Sequence, residues 1–139
     1  MDVQINYVAV ILATLSSMVV GATWYAQTVF GSSWAKLAKV KIKTETADML
    51  KPMGITLVVS FITAFVLAHV IFLSHHFFKN SFLQDALMTS FWVWLGFTAA
   101  RFITHDAFDG RPQKLTLINI GNEFVTILVM GLIIGLFGV

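Results

Sequence analysis

The chain has 139 residues, of which 58% are hydrophobic and 12% charged, with nine basic against seven acidic side chains and a mean hydropathy of +0.83. A soluble domain carries about 25% charged residues, and a disordered one needs low hydrophobicity with high charge, so both classes are excluded. With 9 Gly and 2 Pro the chain is not collagenous, and with no Cys it offers no disulfide, thiolate metal site or thiol nucleophile; what remains is an integral membrane protein.

A bilayer-crossing helix needs roughly 20 mostly apolar residues. Four stretches qualify: about 5–25, 53–72, 82–103 and 115–137. No linker between them could hold a second domain, so residues 1–139 are expected to form one all-α unit, a membrane bundle of four transmembrane helices. The first stretch is not read as a signal peptide. Its only early charge is Asp2, and its apolar run exceeds the ~7–15 residues of a signal core.

The loop after span one begins Phe30-Gly31-Ser32-Ser33-Trp34. Ser32 or Ser33 can cap a short helix there. Trp34 and Leu37 would share one face, with Lys36 and Lys39 toward headgroups, which describes an interfacial helix. Thr44 can cap a further short turn that stops before Pro52. Lys36, Lys39, Lys41, Lys43 and Lys51 lie in this loop; Arg101, Arg111 and Lys114 lie about loop three, and Lys79 stands alone in loop two. Lys and Arg accumulate on the cytoplasmic side. Loops one and three are therefore expected in the cytoplasm, with both termini outside a cell (inner) membrane.

Small residues let helices approach closely in lipid. Span one carries Ala9, Ala13, Ser17 and Gly21 at spacing four, span two Thr56, Ser60, Ala64 and Ala68, and span four the pair Gly131 and Gly135 in a GxxxG motif. Each row lies on one helix face, and these faces are expected to pack within the chain or against a second copy. Ionisable groups at membrane depth are expensive. Span three carries Arg101 and span four Glu123, with Asn119 one turn before Glu123. The spacing predicts an Arg101–Glu123 pair, helped by Asn119, either as a structural lock or as an intramembrane polar site. His69 in span two is a weak candidate for an axial ligand of a haem or pigment; no cofactor or metal site is expected. Trp92 and Trp94 lie in mid-span, where an indole N–H needs a partner.

The run Gly21-Ala-Thr-Trp24-Tyr25, with Phe30, Gly31 and Trp34, resembles the first-span signature of a bacterial membrane family catalogued as domain of unknown function 1761. Leu95-Gly96-Phe97 is similar to its second patch, and Phe108-Asp-Gly110-Arg111-Pro112 with Leu115, Ile118, Asn119 and Gly121 to its third. The resemblance covers essentially the whole chain. It implies a four-span protein and transfers no catalytic residue. The expected function is a non-enzymatic structural or accessory subunit, surrounded by membrane lipids and partnered by itself or by a larger membrane complex, with no role in nucleic-acid binding. The alternative is a small oligomeric channel or carrier using Arg101, Asn119 and Glu123.

Overall fold

The computed structural model describes residues 3–40 and 46–138. Among them every regular element is helical, and four helices are long and apolar enough to cross a membrane. Helix α1 (Tyr7–Trp24) starts where the Asn6 side chain accepts the Ala9 N–H at 3.2 Å, satisfying one of the otherwise unpaired first-turn donors. A π-helical turn, Gln27–Gly31, then leads into the short α2 (Ser32–Ala38). A short helix therefore stands where the sequence places one, around Trp34 and Leu37, but its start differs from expectation. Neither serine caps it; the Ser32 hydroxyl donates back to the Gln27 carbonyl at 3.0 Å. Gly31 fixes this turn, because a Cβ there would collide with the Tyr25 carbonyl oxygen and lie 2.9 Å from that of Ala26.

Helix α3 (Thr46–Phe78) is 33 residues long and runs straight through Pro52. The expectation that helix stops before Pro52 is corrected here. Proline forfeits one i→i−4 bond, and membrane helices tolerate that loss because local groups can re-satisfy the backbone. The acceptor that loses its partner is the Asp48 carbonyl, four residues back, while one turn on the Thr56 hydroxyl adds a bond to the Pro52 carbonyl at 2.8 Å. The short turn expected at Thr44 has its cap outside the described residues. After Phe78 the chain reverses over three residues. Ser81 caps α4 (Phe82–Val93) by accepting the Gln84 N–H. A π-helical segment, Trp94–Ala99, joins α4 to α5 (Ala100–Phe108), so the three form one continuous span, and α6 (Gln113–Phe137) is the fourth.

The core is built mainly from small and branched side chains: Ala9, Val10 and Ala13 of α1, Ala64, Leu67, Ala68 and Ile71 of α3, Ala86 of α4, and Ile127, Met130 and Ile134 of α6. Helix α6 is the hub, flanked by α1 on one side and α4 on the other. Of the small residues singled out for packing, Ala9, Ala13, Ser17, Ser60, Ala64, Ala68, Gly131 and Gly135 are buried inside the chain, whereas Gly21 is only partly buried and Thr56 is exposed. The GxxxG face meets α4: a Cβ on Gly131 would strike the Ser90 hydroxyl, and one on Gly135 would lie 2.9 Å from the Ala86 Cβ.

That closeness generates the first prediction. Gly131→Ala should destabilise the protein by about 1–3 kcal/mol, the usual cost of overpacking, and adding Ser90→Ala should recover part of the loss. Gly54→Ala, where a Cβ meets nothing within 4 Å, should be neutral or stabilise by up to ~1 kcal/mol through helix propensity. Reversible unfolding in bicelles measures all three. Equal effects at Gly131 and Gly54 would show that the α4–α6 contact is looser than described.

Candidate functional site

The polar groups at the α1–α2 end converge on one stretch of α6. The Trp24 indole N–H donates to the Ile118 carbonyl at 3.1 Å, and the Trp94 indole N–H donates to the Ile120 carbonyl at 2.9 Å. A carbonyl oxygen has two lone pairs, so each can serve the helix ladder and an indole together. Between these two carbonyls, the side-chain oxygen of Asn119 accepts from the Tyr25 hydroxyl at 3.2 Å and from the Trp34 indole at 3.1 Å. Ring contacts tighten the cluster: Tyr25 meets Trp34 edge-on with centroids 5.4 Å apart, Trp24 lies 4.7 Å from Phe30, and Trp94 lies 4.6 Å from Phe124. Gly121 leaves room for the Trp24 ring, which would stand 3.0 Å from a Cβ there. The signature residues Trp24, Tyr25, Phe30, Gly31 and Trp34 therefore form one body with Asn119.

Two further polar centres tie the ends of the third span. At the α5–α6 turn, Asp106 is buried and accepts the Thr116 hydroxyl at 2.7 Å. The Arg111 side chain lies between Asp106 and Asp109, 3.6 and 3.4 Å away. The turn itself is a Schellman closure: the Gly110 N–H donates to the Ala107 carbonyl, the Arg111 N–H to the Asp106 carbonyl, and Gly110 takes φ +64°. Gly110 and Arg111 thus act in this turn, apart from the aromatic cluster. At the α3–α4 turn, Asp85 is buried and accepts from His75 Nδ1 and from the Asn80 amide, both at 2.9 Å.

The expected Arg101–Glu123 pair is not formed. Among the described residues the ion pairs are His75–Asp85, Arg111–Asp106 and Arg111–Asp109; Arg101 is exposed, and Asn119 serves Tyr25 and Trp34 instead. The cause is the π-helical segment. In an uninterrupted α-helix, Arg101 would follow Ser90 by eleven positions, or about 20° from the same face at about 100° per residue. Ser90 faces α6 at Gly131. The wider π turn adds a residue to the helical repeat and carries Arg101 off that face, leaving Ala99 and Asp106 buried in its place. Glu123 is half-buried and lies within electrostatic reach of the Tyr25 hydroxyl. Beside it, the Asn122 side-chain nitrogen is buried without a hydrogen-bond partner among the described residues.

The remaining candidates are scattered. His69 donates from Nδ1 to the Phe65 carbonyl at 2.8 Å and rests on the Phe65 ring. Gly21 and Gly96 border open space, with nothing within 4 Å of a Cβ. Sequence reasoning missed the Asp85–His75–Asn80 and Asp106–Thr116 centres. The signal available was a carboxylate in the first or last turn of a span, ten positions from a hydroxyl or imidazole across a tight turn.

The model of a family described as protein of unknown function (DUF1761) matches residues 8–135. The chain belongs to this family. No curated protein and no solved structure matches it.

The double acceptance at Asn119 can be tested. Asn119→Ala strands the Tyr25 hydroxyl and the Trp34 indole, each unmade bond costing about 1–3 kcal/mol when buried. Asn119→Asp keeps an acceptor and should cost less. Trp34→Phe should lose most of its effect in the Asn119→Ala background, because the shared bond is already gone. Additive losses in bicelle unfolding would show that the two side chains do not interact.

Proposed function

We propose that this protein is a non-enzymatic structural or accessory subunit of a cell (inner) membrane, working as a homo-oligomer or docked on a larger membrane complex. One observation carries the reading. From Asp48 to Val59 every residue of α3 is exposed, among them Met49, Leu50, Met53, Ile55, Leu57, Val58 and Val59. A helix packed on its own bundle buries a residue every three or four positions; this half of α3 buries none. Where it diverges from α1, an apolar crevice of about 350 Å³ opens between Ile11, Thr14 and Leu15 on one side and Leu57, Val58 and Phe61 on the other. Lipid covers such a face in a lone chain, and with no neighbour packed on it a second helix can take the place of that lipid. The three polar centres also support a structural role, since their hydrogen bonds are consumed in joining helices. The basic residues near α2, the start of α3 and the α5–α6 turn favour a cytoplasmic location for that end, with the termini outside.

The chain has no cysteine, so a single introduced thiol reports contacts cleanly. In native membranes Ile55→Cys or Val58→Cys should crosslink to a second copy or to a partner, whereas buried Ala64→Cys should not. Native mass spectrometry after gentle solubilisation should find the same association. A monomer with no crosslink at any exposed α3 position would overturn the reading.

A second reading, an oligomeric channel or carrier, is favoured by the unpartnered Asn122 amide beside Glu123. It requires that proteoliposomes carry a flux and that Glu123→Gln reduce it about tenfold or more, the loss typical of removing a proton-relay group. Equal flux in both proteins, or none in either, excludes it.

A further inference from the structure

On the outer side of α5 lies a groove of about 470 Å³ that none of the assignments above uses. Its order of chemistry is specific. Arg101, His105 and Asp109 follow one another at spacing four along α5 and its C-terminal cap, rising about 6 Å per step, and with Phe97 of the adjoining π-helical segment, which lines the same groove, they form a stripe. Reading from the membrane interior outward, the stripe is apolar, cationic, imidazole and anionic. Phe97 is 79% exposed and offers a ring to an alkyl chain. Arg101 is exposed and takes part in none of the ion pairs among the described residues. At the rim, Arg111 sits between Asp106 and Asp109, so these three side chains carry one net negative charge. The Asp109 side chain remains 58% exposed.

The groove is therefore a dipole, positive at Arg101 and negative at Asp109, placed at the end of a membrane-crossing helix. A phospholipid in a bilayer presents the same sequence from inside to outside: alkyl chain, phosphate and, in an amino-headgroup lipid, an ammonium. A guanidinium is the side chain best matched to phosphate oxygens, and its long stem lets it reach toward the headgroup layer. An ammonium bearing N–H groups can donate to a carboxylate, whereas a quaternary ammonium cannot. A headgroup ending in hydroxyls brings no second cation to the Asp106–Asp109 pair, whose net charge Arg111 leaves negative.

We propose that this groove binds one phospholipid with a primary-ammonium headgroup, its phosphate on Arg101 and His105, its ammonium on Asp109 and its chain against Phe97. The site does not depend on the oligomer proposed above, since all its residues belong to α5, the adjoining π-helical segment and the turn that follows.

The test uses the purified full-length chain in detergent, with short-chain phosphatidylethanolamine, phosphatidylcholine and phosphatidylglycerol offered singly. Free phosphoethanolamine serves as the soluble source of the same headgroup. Native mass spectrometry should count one retained phosphatidylethanolamine, held about tenfold more tightly than the other two lipids, a difference of the order one charge-assisted bond supplies. Arg101→Gln should weaken retention of every lipid. Asp109→Asn should erase the preference for phosphatidylethanolamine over phosphatidylcholine while leaving phosphate binding. Arg101→Lys keeps the charge and loses the fork; it should give intermediate retention, which keeps the proposal testable if Arg101→Gln does not assemble. Equal retention of the three lipids by the wild type, or unchanged retention in Arg101→Gln, overturns it. Free phosphoethanolamine binding as tightly as the lipid would show a soluble-ligand site and overturn it as well.

Discussion

Hydrocarbon offers no water to complete a hydrogen bond, and the carbonyls and amide of residues 118–120 on α6 answer that constraint for four aromatic side chains at once. Trp24 and Trp94 reach this stretch from α1 and from the third span, and Tyr25 and Trp34 share the Asn119 oxygen between them. Because the donors come from the end of α1, from α2 and from the third span, the angle of α1, the seat of α2 and the approach of the third span are all referred to the same point of α6. The π turn at Gln27–Gly31 then has a purpose in the fold: it folds the chain back so that Trp34 can reach an acceptor that Tyr25 already uses.

The two ends of the third span are fastened differently from its middle. Within its first third, Gly131 and Gly135 let α6 approach Ala86 and Ser90, and dispersion between close backbones supplies the cohesion; at its middle, the Trp94 indole binds the Ile120 carbonyl. At the ends, buried Asp85 and Asp106 each bind across a tight turn, one to His75 and Asn80, the other to Thr116. Carboxylates desolvated in this way hold only if their oxygens are satisfied, and both are. The span is thus clamped at its rims and most closely packed just inside the first of them.

Much of this was legible in the residues. Four apolar runs fixed the number of helices, and spacing of four among Ala9, Ala13 and Ser17, and among Ser60, Ala64 and Ala68, marked faces that are buried. The aromatic signature from Trp24 to Trp34 identified a cluster, though not its acceptor. Arg101 was misplaced because periodicity assumes 3.6 residues per turn, and nothing in Trp94–Ala99 announces a π-helical repeat. Proline reads as a stop because its lost bond is costly, yet α3 continues through Pro52 with a single i→i−4 bond forfeited, a loss that membrane helices tolerate. The Asp85 and Asp106 centres were hidden because each joins residues on two helices, and the distance between helices is not written in either one.

The length of α3 has a consequence for the surrounding bilayer. Its 33 residues measure about 50 Å at about 1.5 Å each, against roughly 40–45 Å for a bilayer with its headgroups, while the 18 residues of α1 measure about 27 Å. Standing upright, the longer helix would reach about 5–10 Å past the headgroups. A tilt of about 30° brings the longer one within the bilayer, and a helix tilted away from its neighbour leaves a wedge between them. The crevice beside Thr14 and Val58 opens between these two helices of unequal length, where an acyl chain of the surrounding lipid can enter.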